Sequence, residues 1–213
     1  MRLQLGTPVH CSDGDTRELA DVVIDPQQRA ITHLIVHPRD RRDLARLVAI
    51  EKAHGGDADG SIRIDCTAAE VDASEPVHTA QYLRIGEQIN EDPGWDVGIE
   101  EIASMPYYGG FAPGGIDAGT GPTDYDPHVT ASYDRVPKGE VEIRHGSEVT
   151  SSEGEHVGHV NGFITDDSNR ITGFVLAHGH LWGKREIVIE IGSVARIEND
   201  EIVLAVPKDA VGR

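Results

Sequence analysis

The sequence predicts an all-β protein built from two small β-barrels, with a partly irregular connecting segment and a short helix. Three observations lead to this fold class. The phrase LGTPVHCSDGD at residues 5–15 recurs in similar form as HGSEVTSSEGE at residues 145–155. After each copy, short apolar runs alternate with turns rich in Gly, Asp and Ser, which is typical of small β domains. Between the two halves lies a stretch rich in Pro, Gly and aromatic residues that has no periodicity.

An internal repeat accounts for the two phrases. Shifting the chain by 140 residues matches residues 6–48 without a gap, and the identical pairs include Gly6/Gly146, Val9/Val149, Ser12/Ser152, Gly14/Gly154, Ile24/Ile164, Ile31/Ile171, Thr32/Thr172 and Val48/Val188. Apolar positions also coincide, among them Val23 with Phe163, Leu34 with Phe174 and Leu47 with Ile187. A repeat that keeps its apolar positions indicates two copies of one folding module. We therefore divide the chain into domains 1–75 and 138–213, joined by segment 76–137.

Each half has the same order of predicted elements. A turn at residues 12–15 or 152–155 leads into a strand, Leu19–Ile24 or Val157–Ile164. A second turn leads to Ile31–Val36 or Ile171–Leu176, and the remaining strands are Leu47–Ile50, Ser61–Asp65, Ile187–Ile191 and Glu201–Ala205. After Cys66, the run TAAEVDAS predicts the short helix, with Thr67 as its N-cap and Glu70 completing a capping box.

This order of motifs resembles the PRC-barrel family. The shared features are Gly-x-x-Val-x-Ser-x-[Asp/Glu]-Gly, a strand, an Asp-rich turn, a second Ile-Thr strand, and LWGKREIVI followed by GSVARI in the second half. The family includes the cytoplasmic domain of the photosynthetic reaction centre H subunit, and the C-terminal domain of the ribosome maturation factor RimM is similar. Glu190 departs from the family, which often has Pro at that position. The resemblance covers residues 3–66 and 142–206, and it implies β-rich modules with adaptor or assembly roles and no catalytic signature.

Composition limits the classes of function. The chain has 213 residues and a formal net charge of −18, which opposes binding to nucleic acid and to anionic membrane surfaces. No apolar run is long enough to span a membrane, and the N-terminus has no secretory signal pattern. Cys11 and Cys66 do not form a disulfide framework. We therefore expect a cytoplasmic protein with reduced cysteines.

The connecting segment holds the aromatic residues that we expect to meet a partner. Residues 105–128 have the composition of a linker, yet Trp95, Tyr107, Tyr108, Phe111 and Tyr125 are unusual in a solvated tether. Two interpretations stay open. The segment straps across its own barrels and buries these rings, or it offers them to a partner protein as aromatic anchors. Trp182 lies in a turn of the second half and has the same two interpretations.

Histidines give a second set of candidates. His178 and His180 are separated by one residue, and His156 and His159 precede them on a hairpin. On neighbouring strands these four side chains could approach one another as metal ligands. No fixed spacing of a known metal motif is present, so solvated loop histidines are the competing interpretation. We expect no resident cofactor.

Charged loops and serines offer little evidence of chemistry. Arg39, Arg41, Arg42 and Arg46 form a basic loop that could bind an acidic partner or stay solvated among Asp40 and Asp43. Close acidic pairs are expected at this density of Asp and Glu, and no EF-hand loop, nucleophile elbow or phosphate-binding loop is present.

The sequence thus predicts a non-catalytic binding and scaffolding protein. Its partner surface would comprise Tyr107, Tyr108, Phe111, Trp182 and the arginine loop. Two alternatives remain. One is a metal- or small-ligand-binding protein with a regulatory or stress role. The other is an RNA or ribosome-assembly factor, which the negative charge opposes. The two barrels would pair either within one chain, as a pseudo-dimer, or between chains in a homodimer.

Overall fold

The computed structural model describes residues 1–55, 61–84, 93–104, 128–178 and 185–211. It is mostly β-structure, as the sequence predicts. The strands of the first half are β1 (Arg2–Gln4), β2 (Pro8–His10), β3 (Thr16–Asp25), β4 (Ala30–His37), β5 (Arg46–Ala49), β6 (Ala53–Gly55) and β7 (Ile62–Ile64). Short 3-10 turns occupy Arg42–Leu44 and Ile50–Lys52. The predicted helix is present as α1 (Ala68–Asp72), and Thr67 and Glu70 form its capping box.

Ten further strands follow the helix. The connecting segment contributes β8 (His78–Arg84), β9 (Trp95–Ser104) and β10 (His128–Pro137). The second half contributes β11 (Val141–Arg144), β12 (Glu148–Thr150), β13 (His156–Thr165), β14 (Ile171–His178), β15 (Arg185–Glu190), β16 (Val194–Glu198) and β17 (Glu201–Leu204). Further 3-10 turns lie at Ile191–Ser193 and Lys208–Ala210.

The two halves have the same sheet topology. The first sheet has the order β5-β4-β3-β2-β7-β6, and the second has the matching order β15-β14-β13-β12-β17-β16. The turn that joins the first hairpin of each half contains a glycine with positive φ, Gly14 at +89° and Gly154 at +77°, a conformation that a side chain disfavours. The phrase that recurs in the sequence is therefore the same hairpin built twice.

The halves exchange their first strands. Strand β1 pairs with β13 of the second half, and β11 pairs with β3 of the first half. Leu3 lies opposite Phe163 in one pairing, and Ile143 lies opposite Val22 in the other. Each sheet thus has seven strands, one of which comes from the other half of the chain. The exchange is reciprocal, as expected for two modules related by a pseudo-two-fold axis.

One apolar core runs through both halves. Leu3, Val22, Ile143 and Phe163 are all fully buried in it, together with residues from both sheets. Phe163 and Phe174 pack edge to face with their ring centroids 5.4 Å apart. Because the exchanged strands carry core side chains into the opposite sheet, neither half buries its apolar face by itself.

The turns between the long strands also contact each other across the pseudo-two-fold axis. The Ile31 amide donates to the Asn169 carbonyl at 3.0 Å, and the Ile171 amide donates to the Arg29 carbonyl at 2.8 Å. The Arg29 guanidinium then donates to the carbonyls of Ile191 and Val194, both at 3.2 Å. These reciprocal bonds join the halves at a second place.

The gapless alignment of the repeat is wrong by one residue in two strands. Ile35 pairs with Asp21, while its counterpart Val175 pairs with Gly162, so Asp21 corresponds to Gly162 at a shift of 141 rather than 140. Phe163 accordingly corresponds to Val22, not to Val23. The extra residue of the second half enters at the irregularity of register between Val149 and Thr150 in the pairing of β12 with β13, which the pairing of β2 with β3 lacks. The same shift applies to β15, where Val188, not Ile187, corresponds to Leu47.

The connecting segment is more regular than its composition indicates. Its described strands form a sheet with the order β8-β10-β9, which packs through Val77, Val136 and Trp95 on a second apolar cluster of the first half. Arg135 lies over the Trp95 ring at 4.4 Å from its centroid. Trp95 therefore packs on the chain itself, in agreement with the interpretation that the connecting segment straps across its own barrels. Cys11 and Cys66 are both buried and free.

Candidate functional site

The outer face of the first sheet is covered by the chain itself. Ala20, Val23, Ile35, Ala45 and Leu47 form this face, and Val77, Val136 and Trp95 of the connecting segment pack on it. Leu47 is 6% exposed as a result. The chain thus demonstrates how a neighbouring β segment binds this face of the module.

The corresponding face of the second sheet has a different environment. Val188 takes the place of Leu47, and it is 52% exposed, whereas its cross-strand neighbour Val175 is buried. Glu186 and Glu190 lie two residues on either side of Val188, share its side of the strand, and are exposed. The outer face of β15 therefore presents an exposed valine between two carboxylates, where the first half has Leu47 between Ala45 and Ala49.

The backbone edge of β15 differs in the same way. In the first half the Leu47 amide donates to the Glu75 carbonyl at 3.0 Å, and the Val77 amide donates to the Ala45 carbonyl at 3.2 Å. Residues 75–77 thus extend the sheet beyond β5. By the equivalence of register, the matching groups are the Val188 amide and the Glu186 carbonyl. Among the described residues, β15 pairs only with β14.

Side chains around this edge hold one another in place. The Arg2 guanidinium donates to the Glu186 carboxylate at 2.6 Å, and the Asn161 side-chain amide donates to its other oxygen at 2.8 Å. Arg2 belongs to the exchanged strand β1, so the exchange also organises this surface. We call Glu186, Val188 and Glu190, with the backbone edge of β15, the β15 edge.

A second candidate is a small cavity where the first sheet meets the connecting segment. Its volume is about 90 Å³. Its lining comprises Ala20, Asp21, Ile35, His37, Arg42, Asp43, Ala45, His78 and Asp134. Five of these nine residues are Asp or His and one is Arg, so titratable groups converge on a pocket with small apolar walls. We call it the Asp21 cavity.

Asp21 is the most perturbed group of this cavity. It is 6% exposed, and burial raises the pKa of its carboxyl to about 7, which the nearby charge of Asp134 also favours. Arg42 and the backbone amide of His145 act in the opposite direction. The Arg42 guanidinium lies 3.8 Å from the Asp21 carboxylate, and the His145 amide donates to it at 3.3 Å.

The two histidines of the cavity are held through Nδ1. His37 is 3% exposed, and its Nδ1 lies 2.8 Å from the Pro38 carbonyl. A carbonyl only accepts, so this nitrogen carries the proton and Nε2 of the neutral ring is an acceptor. His78 Nδ1 lies 3.2 Å from an Asp134 carboxylate oxygen. Asp21, His37, His78 and Asp134 are not among the site residues predicted from the sequence, although Asp21 interrupts an otherwise apolar run, LADVVI.

The predicted arginine loop divides between several roles. Arg42 reaches the Asp21 cavity. Arg41 forms an exposed ion pair with Asp43 at 2.8 Å, and Arg46 donates to the Asp72 carbonyl at 3.1 Å. Arg39 lines a separate shallow pocket beside Arg17. The four side chains therefore do not converge on one anion site.

The predicted histidine cluster is only partly within the described residues. The rings of His156 and His159 lie 4.7 Å apart, and each Nδ1 has its own partner, the Glu148 carboxylate at 3.1 Å and the Gly146 carbonyl at 3.0 Å. His178 ends β14, and His180 lies outside the described residues. Within the described part of the chain, no group of three or more His, Cys, Asp or Glu side chains is arranged to hold a metal ion.

The predicted aromatic anchors Tyr107, Tyr108, Phe111 and Trp182 also lie outside the described residues. Their role as a partner surface therefore stays a prediction. Val188 could not be recognised as exposed from the sequence, because its exposure depends on which segments cover the sheet. Among the described residues, no helix is long and apolar enough to cross a membrane.

Comparison with known proteins finds a family match in the second half of the chain. Residues 145–211 match the PRC-barrel domain family. No curated protein matches the chain significantly. The matched range begins at the repeated phrase and includes β12 to β17, the strands whose order is repeated in the first half.

Proposed function

We propose that this chain, whose residues 145–211 match the PRC-barrel domain family, is a non-catalytic scaffolding protein that binds an extended segment of a partner protein on the β15 edge. The observation that carries the proposal is the difference between the two pseudo-equivalent faces. The chain covers the first one with its own β segment, and it leaves Val188 of the second one 52% exposed.

The first half supplies the pattern for such binding. Residues 75–77 pair with the edge of β5 through two backbone hydrogen bonds, and Val77 is fully buried there. Addition of a strand to an exposed edge is a common mode of peptide recognition, in which backbone bonds give affinity and alternate side chains give specificity. The Val188 amide and the Glu186 carbonyl offer the same two bonds.

Charge defines the chemistry of the partner. The exposed Glu190 lies beside Val188, Glu186 on the other side is already paired with Arg2, and the whole chain has a formal charge of −18. An extended segment that alternates an aliphatic residue with Lys or Arg complements this edge, because opposite charges steer association and fix register. This surface does not support the RNA-binding alternative, because the carboxylates of the β15 edge repel phosphate.

Site-specific photo-crosslinking tests the proposal. A photoreactive residue is placed at position 188 and, as a control, at Arg196, which is exposed on strand β16. Crosslinking in native extract should capture a partner from position 188 and not from position 196. The crosslinked peptide should be an extended segment with an aliphatic residue between basic ones.

Two substitutions at Val188 distinguish the loss of a backbone hydrogen bond to the partner from the loss of the folded structure. Val188→Pro removes the outward amide, and proline is tolerated on an edge strand where the N–H does not pair within the sheet. Val188→Thr keeps both the amide and the shape. We expect Val188→Pro to weaken the captured complex by about tenfold or more, the worth of a lost hydrogen bond plus a steric clash. Equal binding by both variants, or equal capture from positions 188 and 196, contradicts the proposal.

A further inference from the structure

We propose that the Asp21 cavity binds one primary ammonium group, of a small free amine or of a lysine side chain. This inference is independent of partner binding at the β15 edge, because the cavity lies between the first sheet and the connecting segment. It rests on the placement of Asp21, His37 and Asp134 around one cavity of about 90 Å³.

His37 provides a buried acceptor that lacks a donor. The ring is 3% exposed, its Nδ1–H is committed to the Pro38 carbonyl, and Nε2 makes no hydrogen bond with any described residue. A buried polar atom without a partner is costly, and native proteins rarely keep one without a reason. A ligand that donates a hydrogen bond to Nε2 removes this cost.

The carboxylates supply the negative charge that selects a cation. Asp21 is 6% exposed, and Asp134 is close enough for its charge to raise the pKa of Asp21. Two carboxylates that share a site disfavour each other's ionised form until a cation lies between them. An anionic ligand is excluded by the same two charges.

The number of donors distinguishes an ammonium group from other cations. A primary ammonium has three N–H donors, and the cavity is lined by acceptor groups of Asp21, His37 and Asp134, the last of which also bonds His78 Nδ1. Quaternary amines donate nothing. A metal ion requires a tighter arrangement than the described residues provide, since none of their His, Cys, Asp or Glu groups is placed to hold one.

Arg42 lines the cavity beside Asp21. Its side chain is 54% exposed, and its guanidinium lies 3.8 Å from Asp21, too far for a hydrogen bond. It therefore balances part of the charge of Asp21 without satisfying the carboxylate. Since it competes with an entering cation, its removal should strengthen ammonium binding.

The test is an NMR titration of the full chain with methylammonium chloride, at constant ionic strength and at a pH well above the pKa of Asp21. The His37 side-chain nitrogen signals should shift in a saturable manner. Tetramethylammonium and sodium chloride, which have no N–H donors, should leave them unchanged. Equal shifts with all three salts, or no shift with methylammonium, overturn the proposal.

Variants then assign the site. Asp21→Asn and His37→Phe should each weaken methylammonium binding by about tenfold. His33→Phe, on the same strand but outside the cavity, should leave it unchanged. Arg42→Ala should tighten binding severalfold, and Arg41→Ala should have no effect. Tightening is an outcome that a misfolded variant cannot give, and unchanged binding in Arg42→Ala and Asp21→Asn together contradicts the inference.

A second titration distinguishes the source of the ammonium group. Nα-acetyl-lysine N-methylamide carries the ammonium on a long stem, as a lysine of a partner does. If it shifts His37 at lower concentration than methylammonium, the site receives a lysine side chain. If methylammonium binds and the lysine derivative does not, the site receives a small free amine. If neither binds, the proposal fails.

Discussion

Substitution of Gly162 by alanine should disrupt the exchange of strands. Gly162 lies in β13 opposite Gln4 of β1. A Cβ at this position would overlap the Leu3 carbonyl oxygen and lie 3.1 Å from the Gln4 Cα. These are backbone atoms of the exchanged strand, so no side chain can rotate away to make room. Strand β1 must move outwards.

The loss in the free energy of unfolding can be estimated from the packing of β1. Overpacking in a well-packed interior costs about 1–3 kcal/mol. Leu3 is fully buried, and partial withdrawal of its side chain adds about 1 kcal/mol. We therefore expect Gly162→Ala to lower the free energy of unfolding by about 3 kcal/mol. For a chain of this length the midpoint of thermal unfolding should fall by about 10 °C.

Gly192→Ala is the matched control, because a Cβ at Gly192 meets no atom within 4 Å. Both variants restrict the unfolded chain equally, so their difference isolates the clash. Urea unfolding gives the free energies, and hydrogen exchange of the Leu5 amide, which donates to Asn161 at 3.0 Å, reports the position of the segment after β1. If both variants unfold with the same free energy, the pairing of β1 with β13 is refuted.

Two further predictions concern the first half. Asp21 has a folded-state pKa raised to about 7, so its stabilising contribution is present at low pH and is lost as the pH rises through that value. Relative to Asp21→Asn, the wild-type free energy of unfolding should fall by about 2–4 kcal/mol between acid and mildly alkaline pH, as measured by urea unfolding; a flat difference contradicts the burial of Asp21. Thr67→Ala removes the capping-box bond in which the Thr67 hydroxyl accepts from the Glu70 amide, and it should cost about 1 kcal/mol, while Thr67→Ser should cost little in the same assay.

The elements that local patterns specify could be predicted from the sequence. The turns at residues 12–15 and 152–155 have the Gly and Asp that their backbone requires, and the strands that follow have continuous apolar runs. The capping box at Thr67 predicted α1 for the same reason. The repeat predicted a common topology, because shared apolar positions indicate a shared core.

The partners of the strands could not be predicted in the same way. The apolar character of Leu3 and Ile143 indicates burial, but it does not say in which half they are buried, since both sheets offer the same groove. The gapless alignment also concealed a shift of one residue in β3 and β13, because Val22 and Val23 are equally good matches for Phe163.

The candidate sites depend on tertiary contacts that no local pattern reveals. Asp21, His37 and Asp134 come from strands β3, β4 and β10, and the connecting sheet must fold back before they share a cavity. In the sequence, Val188 cannot be distinguished from a buried valine of a strand. Its exposure follows from the absence of a described segment on that face, whereas residues 75–77 cover the matching position.

The exchange of strands is the central claim, and a nicked chain tests it most directly. A protease site is inserted in the turn between β10 and β11, so that the whole connecting sheet stays on the first fragment. The chain is cleaved after folding, and the product is examined by size-exclusion chromatography with light scattering at high salt. Because β1 and β11 each pair with the opposite half, the two fragments should stay together and have the mass of the intact chain. Fragments that separate under these native conditions and remain folded would contradict the exchange.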